Sequence, residues 1–475
     1  MILIDLNTPD EIVPLVHAAL RAWYSTSGSD KGLLEGLLLV QERRRALENS
    51  TNPTAARLAT NQVLLQGIEE LGTGDQDGAR ILKLRFADDN TLLMVAYKMN
   101  ISEDSVSRKQ RMAIVRLSTI LYDQEVRARK VHTEWIEAQL PPPSYTHLIG
   151  VEEVIAQLSD RITEPDGPGV VAIVGIGGIG KTALADAVTR LVVGQLRFDG
   201  VVWLRSDPQT MSGQELSPLL TLENLVTDLA EWLGLGDAAG SRDQRLLQIR
   251  QILKDQPHLI VVDNLETDAA TAYLLDYLND LAGPSKFLLT TRARRASQAT
   301  VFHFEMRELS LQNSIALVLR HAHDLGLPAL FQSGDEPIRS IYDVTGGNPL
   351  ALKLVVSLLD LLPLQQILSD LRKSRPGPIE SLYKHIYWQA WKILSPEARS
   401  LLQAMPLVGE LGGLPDYLES ISTLPGNSFW PALQELRSRS LVEVRGTIQE
   451  RRYGIHRLTE SFLRTEIIHW PDEEE

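Results

Sequence analysis

The sequence contains no cysteine in its 475 residues, which excludes disulfide bonds and thiolate metal sites. It also lacks an apolar run near the roughly 20 residues that a membrane-spanning helix needs, so we expect no membrane partner. The N-terminal residues Met1–Asp5 include an acid and no basic segment, unlike a secretory signal peptide. Internal repeats and low-complexity tracts are absent too. These absences predict a soluble, cytoplasmic protein.

The chain is acidic, with 61 acidic and 47 basic side chains and a formal net charge of −14. This balance argues against broad coating of nucleic acid, although one domain can still carry a local basic face. Hydrophobic residues make up 44% of the sequence, which is enough for packed cores. At roughly 150 residues a domain, the length predicts about three domains.

Three consecutive prolines, Pro141–Pro143, divide the chain, because proline cannot continue a helix and favours a stiff extended segment. Helical patterns precede them, as in Asp10–Trp23 and Lys31–Ala46. After them, helical patterns alternate with the apolar runs Val170–Val174, Val201–Leu204, Leu259–Val262 and Phe287–Thr290. This alternation predicts a parallel sheet with helices on both faces. Helical patterns then return, with a short β pair near Leu441–Val444 and Arg452–Ile455.

Residues Gly175–Thr182 read GIGGIGKT and match the phosphate-loop pattern G-x-x-x-x-G-K-[ST] between a strand pattern and a helix pattern. Backbone N–H groups and the helix N-terminus would surround phosphate oxygens. Lys181 would reach the β- and γ-phosphates, and Thr182 would hold Mg²⁺. A plain glycine-rich turn would explain the glycines but not the Lys-Thr pair. The nucleotide-binding residues predicted here are Gly175, Gly177, Gly178, Ile179, Gly180, Lys181, Thr182 and Ala183.

Two more strand patterns end in polar residues, at the sheet edge where open α/β folds bind ligands. Asp263 follows Leu259–Val262 and is the predicted acid on the Mg²⁺ side, directly or through water. Arg292 follows the next strand and can bind a γ-phosphate through charge-assisted hydrogen bonds. With Lys181, these are the predicted catalytic residues. The alternatives are a turn-capping Asp263 and a surface Arg292 close to Arg294 and Arg295.

The order of these motifs resembles the NB-ARC branch of the STAND signalling ATPases, a family of plant resistance proteins, apoptosome scaffolds and bacterial transcription regulators. The resemblance covers about residues 147–470. Besides the phosphate loop it rests on Phe198–Leu204, Leu259–Asp263, Lys286–Arg292, Gly346–Leu352 and Tyr453–Leu458.

The resemblance implies roles for three residues outside the phosphate loop. The family's proline in the fourth of these segments packs near adenine, which points to Pro349. The histidine of its winged-helix domain contacts the ADP β-phosphate in resting states, which points to His456. The segment His147–Glu153 resembles the adenine-side entry motif and includes Ile149. Without the other motifs, Pro349 would only start a helix and His456 would be an ordinary histidine.

The sequence departs from the family pattern at three positions. Asn264 stands where a second acid usually follows Asp263, and an amide cannot act as a general base. We therefore predict slow or negligible hydrolysis; Glu266 is nearby in sequence. Val151 replaces the usual Arg of the entry motif, and Arg457 follows His456 where plant members have Asp.

Residues 79–121 resemble the helix-turn-helix of sigma-factor region 4. Asn100 stands where the turn usually has Gly and tolerates a left-handed backbone, and Ser102 suits the N-cap of the second helix. One interpretation is DNA binding with basic residues on phosphates. The other is protein contact, with the basic residues solvated. The second helix carries the basic residues Arg108, Lys109, Arg111 and Arg116 and the apolar residues Val106, Met112, Ile114 and Val115.

The expected fold is multidomain, α and α/β. An all-α N-terminal module with the helix-turn-helix spans 1–140 and a Pro-rich linker spans 141–146. A P-loop, parallel-sheet nucleotide-binding domain follows at 147–304, then a helical domain at 305–380 and a winged-helix domain at 381–475. The resemblance implies a switch that is a monomer with ADP and a homo-oligomer with ATP, each with Mg²⁺. The alternatives are a DNA-binding transcriptional regulator acting through residues 79–121 and an ATPase machine with steady turnover.

Overall fold

The computed structural model describes the chain in two compact units, Met1–Ala138 with Gly194–Arg197, and Gln139–Val193 with Phe198–Glu475. No helix among the described residues is both long and apolar enough to cross a bilayer. The described residues are 8–24, 34–47, 53–143, 145–206, 217–236, 242–265, 268–292, 301–327, 330, 334–359, 362–373, 379–408, 412–446 and 450–468.

The N-terminal unit consists of helices and turns in its described part. Leu20, Leu64 and Leu117, from three different helices, share one buried core. A π-helical segment, Lys83–Ala87, follows the fourth helix. The helices are α1 (Pro9–Arg21), α2 (Leu38–Arg45), α3 (Pro53–Gly74), α4 (Gln76–Leu82), α5 (Leu92–Met99) and α6 (Glu103–Glu137).

A buried carboxylate, that of Glu125 on α6, accepts hydrogen bonds from the start of α2. The backbone N–H groups of Leu38 and Leu39 donate to its two oxygens at 2.9 and 3.1 Å. Arg129, one turn further along α6, donates to the same carboxylate at 2.7 Å. The first N–H groups of a helix have no partner inside the helix, so Glu125 supplies one.

The turn between α5 and α6 lies at the position predicted for the turn of a helix-turn-helix, and that motif itself stays a prediction. Asn100 adopts a left-handed conformation, with φ 55° and ψ 46°. The Ser102 hydroxyl accepts the Ser105 N–H at 3.3 Å and caps α6. Lys109 and Arg116 form ion pairs with Asp77 and Asp75. Binding of DNA by this segment stays a prediction.

The second unit contains a five-stranded parallel sheet of order β2-β3-β4-β1-β5. Apolar runs buried on both faces form its central strands, as is typical of parallel sheets. The predicted parallel sheet is therefore confirmed. The fifth strand was not expected, because its Val-Phe-His-Phe-Glu sequence is short and partly exposed at the sheet edge. The strands are β1 (Val170–Val174), β2 (Gly200–Arg205), β3 (His258–Leu265), β4 (Lys286–Thr291) and β5 (Val301–Glu305).

Helices precede and connect the first four strands of the sheet along the chain. One core joins Val202, Ile260 and Leu289 of the strands with apolar residues of three of these helices, including Leu225 and Leu253. The helices are α7 (Glu152–Thr163), α8 (Lys181–Gly194), α9 (Pro218–Trp232), α10 (Arg242–Asp255) and α11 (Asp268–Leu281).

The chain after β5 is mainly helical, and its buried residues form one continuous core from Leu317 to Leu463. An antiparallel pair, β6 (Glu443–Gly446) and β7 (Arg451–Gly454), lies near the predicted β pair. The described helices are α12 (Leu311–Asp324), α13 (Glu336–Thr345), α14 (Pro349–Leu358), α15 (Leu364–Lys373), α16 (Ile379–Ile393), α17 (Pro396–Ala404), α18 (Pro415–Ser422), α19 (Gly426–Ser438) and α20 (Arg457–Phe462), with a 3₁₀ turn at Met405–Leu407 and a π-helical segment at Leu463–Ile468.

Candidate nucleotide-binding site

The phosphate loop connects the carboxyl end of β1 to α8. Gly178 and Gly180 have φ values of 70° and 100°, which residues with a side chain rarely adopt, and they let the backbone curve. Ile179 is buried and anchors the loop, while Ala183 lies in the first turn of α8. Lys181 Nζ donates to the carbonyl oxygens of Gly175 and Ile176 at 2.8 and 3.0 Å. The loop backbone thus curves around the Lys181 ammonium group, whose positive charge suits phosphate.

The predicted metal-binding pair, Thr182 and Asp263, is brought together. Thr182 Oγ1 donates to Asp263 Oδ1 at 2.9 Å. Asp263 is 1% exposed near the end of β3, and the hydroxyl of Thr290 on β4 also donates to it. A hydroxyl and a carboxylate are hard oxygen ligands of the kind Mg²⁺ takes, and nucleotide phosphates complete such sites. The donor set fits a nucleotide-bound Mg²⁺.

Arg292, the predicted phosphate sensor, follows the last residue of β4. A Cβ placed on Gly177 would lie 3.3 Å from Arg292 Nη2, so the guanidinium lies beside the phosphate loop. β4 pairs directly with β1, and Gly175 N–H donates to Thr291 O at 3.2 Å. The two adjacent strands therefore place the positive charge of Arg292 next to the phosphate loop. Glu266, Arg294 and Arg295 lie outside the described residues.

Asn264, which stands in place of the second acid, forms hydrogen bonds to residues of both neighbouring strand ends. Its φ of 74° is left-handed, and the β3–β4 register shifts between Val262 and Leu265. Its backbone N–H donates to Thr290 Oγ1 at 2.8 Å. Its side-chain Nδ2 donates to Ser206 O, after β2, at 2.9 Å. The amide is engaged as a donor to the backbone.

Residues from the C-terminal helices also contact the phosphate loop. Asn348 caps α14, since its Oδ1 accepts the N–H groups of Leu350 and Ala351 at 3.1 and 3.3 Å. Its Nδ2 donates to Gly177 O at 3.1 Å. The Tyr383 hydroxyl of α16 donates to Asn348 Oδ1 at 2.6 Å and lies 3.3 Å from Gly177 O. Burial raises the pKa of Tyr383, so its hydroxyl stays protonated.

Pro349 and His456, two of the residues suggested by the family resemblance, stand at the starts of two C-terminal helices. Pro349 is the first residue of α14, directly after Asn348. Ile149 packs against the C-terminal core. His456 caps α20, with Nδ1 accepting the Leu458 N–H at 3.1 Å. A Cβ on Gly177 would lie 3.5 Å from Leu458 Cδ1, so the start of α20 is also next to the loop.

The sequence analysis missed three polar side chains of this site: Thr290, Asn348 and Tyr383. Asn before Pro at a helix start is a capping signal, so the cap formed by Asn348 was available from sequence. Its bond to Gly177 was not, because 171 residues separate the two. Tyr383 is 206 residues from Gly177 and no local pattern distinguishes it from a core tyrosine.

Residues 151–323 match the family model described as the NB-ARC domain. TMV resistance protein N of Nicotiana glutinosa is 25% identical over 206 residues, covering 42% of this chain and 17% of that protein. Disease resistance-like protein DSC1 of Arabidopsis thaliana is 25% identical over 223 residues, covering 46% and 18%. This chain thus spans less than a fifth of the length of either relative.

Among solved structures, a STAND protein with a tetratricopeptide repeat sensor from Pyrococcus horikoshii aligns with a TM-score of 0.44 and 18% identity. That alignment covers 68% of this chain and 43% of the other. The domain match falls on the phosphate loop, Asp263 and Arg292, whose arrangement is described above. The chain therefore carries a nucleotide-binding NB-ARC domain at residues 151–323.

Proposed function

We propose that this protein is an ADP/ATP-dependent signalling switch, closed as a monomer with ADP and assembling into oligomers after exchange for ATP. The observation that carries the proposal is the contact of three C-terminal segments with one loop residue. Asn348 and Tyr383 lie within 3.3 Å of Gly177 O, and Leu458 lies close to the same glycine. Elements that hold a phosphate loop directly can respond to what the loop binds.

In this proposal the phosphate-loop backbone and Lys181 hold the phosphates, and Pro349 and Ile149 border the adenine. Thr182 and Asp263 hold Mg²⁺, which neutralises phosphate charge when bound. His456 accepts a hydrogen bond at Nδ1, so a neutral ring carries its proton on Nε2, as a donor to phosphate requires. Arg292 distinguishes a third phosphate by its charge.

Slow hydrolysis is part of the same proposal. The side chain of Asn264 donates to Ser206 O and cannot take a proton from water. The chain would therefore keep its nucleotide long enough for exchange, rather than turnover, to set its state.

The experiment is to denature the purified protein and identify the released nucleotide by HPLC. Wild type should release ADP or ATP, whereas Lys181→Ala should retain at least about tenfold less, since it loses charge-assisted bonds. Lys254→Ala removes an exposed lysine of α10 and is the matched control. The ADP-loaded and ATP-loaded proteins are then sized by light scattering.

Two results would contradict the proposal. Wild type that releases no nucleotide and binds none when it is added would exclude the nucleotide switch. Equal masses with ADP and ATP would exclude the assembly step alone.

A further inference from the structure

A buried hydrogen-bonded triad connects α16, the start of α14 and the phosphate loop. It consists of Tyr383, Asn348 and the Gly177 carbonyl. The two side chains are 2% and 0% exposed. Its distances are 2.6 Å from Tyr383 Oη to Asn348 Oδ1, 3.1 Å from Asn348 Nδ2 to Gly177 O and 3.3 Å from Tyr383 Oη to Gly177 O.

The orientation of the Asn348 amide is fixed by its partners. Oδ1 accepts two backbone N–H groups of α14, so this oxygen must face the helix. Nδ2 must then face the loop, where it donates to Gly177 O. Tyr383 adds a third donor to the same Oδ1, and its short distance marks that bond as the principal one. The hydroxyl therefore helps to hold the amide that holds the loop.

Holding Gly177 O also sets the direction of the next N–H group in the loop. In a planar trans peptide the C=O and the following N–H point in opposite directions. With Gly177 O held towards Asn348, the Gly178 N–H points away from the Asn348 side chain. Gly178 can support this arrangement because its φ of 70° is open to glycine. The triad thus pre-arranges a backbone donor for phosphate.

We infer that Tyr383 is a positioning residue that couples α16 to the phosphate loop and slows nucleotide release; this inference rests on the proposed function. If α16 moves away from the loop, the Tyr383 bonds break first, because Asn348 belongs to a different helix. The Gly177 peptide is then held by Asn348 alone. Through the Tyr383 hydroxyl, the affinity of the loop for phosphate depends on the position of α16.

A buried tyrosine hydroxyl also needs a partner for reasons of stability alone. Tyr387, one turn further along α16, separates the two roles. It is equally buried, its ring centroid lies 6.4 Å from that of Tyr383, and its hydroxyl accepts a bond from Thr459 at 3.1 Å. Tyr387→Phe therefore removes a buried hydroxyl from the same helix without touching the hydroxyl–loop contact.

The experiment loads full-length protein with a fluorescent N-methylanthraniloyl ADP and measures its release into excess unlabelled ADP. Tyr383→Phe should release the analogue about 3- to 10-fold faster than wild type, the effect of one lost neutral hydrogen bond. Tyr387→Phe should stay within about twofold of wild type, and the melting temperatures of both variants show whether they fold. Asn348→Ser keeps a capping hydroxyl but cannot reach Gly177, and should release at least as fast as Tyr383→Phe.

The outcomes are distinguishable. If wild type binds the analogue but Tyr383→Phe and Asn348→Ser release it at the wild-type rate, the inference is wrong and the proposed function stands. Equal acceleration by both Phe variants would also overturn it, since that result reflects general loosening. Wild type that does not bind the analogue overturns the proposed function, and the inference with it.

Discussion

In the proposed switch, Asn264 favours retention of the nucleotide over its hydrolysis. Its left-handed backbone sits at the register shift of β3, and its amide hydrogen bonds to Ser206 across the sheet edge. An acid at this position would have no proton to offer that carbonyl. The change from acid to amide at this point in the motif therefore has a structural consequence as well as a chemical one.

We predict that Asn264→Asp destabilises the protein. Asp tolerates the left-handed backbone as Asn does, so the main change is a carboxylate oxygen facing the Ser206 carbonyl oxygen. Loss of the donor and the repulsion should cost about 1–3 kcal/mol in urea unfolding at pH 7. Asn264→Gly, which suits the same φ without adding charge, should be less destabilised. An aspartate variant as stable as wild type would refute this account.

Residue-level prediction was possible where the pattern is local in sequence, and the roles of these residues stay predictions. Lys181 and Thr182 follow from eight consecutive residues, and Asp263 and Arg292 follow from strands that must end at the same sheet edge. The alignment of β1 beside β4, and of β4 beside β3, puts them together. Tyr383 could not be predicted, because its role depends on where α16 packs and not on its neighbours in sequence.

At the scale of elements, α2 depends on a carboxylate supplied by another helix. It has eight residues, and short helices are marginal without tertiary support. Glu125, fully buried on α6, binds the first two N–H groups of α2. The length of α6 therefore matters, because it carries this carboxylate one turn beyond the segment that resembles a helix-turn-helix.

Glu125→Ala should lower the free energy of unfolding of the N-terminal unit by about 2–4 kcal/mol, since it leaves backbone donors and part of the Arg129 charge without an acceptor. Arg129→Ala should cost less, because Arg129 is itself 21% exposed and the carboxylate keeps its backbone bonds. Urea unfolding of the full chain, followed by circular dichroism, measures both. Equal effects of the two changes would show that the ion pair, not the helix contact, is the important interaction.

At the scale of the whole second unit, His321 links three segments of the C-terminal core. Its Nε2 lies 3.3 Å from Ser357 Oγ of α14 and 2.9 Å from Ser440 Oγ, just before β6. Burial, with a smaller contribution from Lys353, lowers the pKa of His321 to about 4, against the opposing effect of Asp324. The folded protein therefore holds this histidine neutral in the middle of the core.

This burial predicts acid sensitivity. The unfolded chain protonates the imidazole below about pH 6.5, whereas the folded chain does so only near pH 4, so stability is lost as the pH falls through that window. Wild type should lose about 2 kcal/mol more than His321→Gln between pH 7 and pH 5, as measured by urea unfolding. Similar pH dependence in the two proteins would show that other groups determine the acid response.

The continuous core between Leu317 and Leu463 has a practical consequence for genetic dissection. A chain cut near residue 380, the predicted start of the winged-helix domain, would expose apolar residues on both sides of the cut. We expect such fragments to misfold or aggregate, so their phenotypes would not test the proposed switch. Removal of a single hydroxyl group, as in Tyr383→Phe, tests the proposed restraint on the phosphate loop without disrupting the C-terminal core, which deletion of a domain would do.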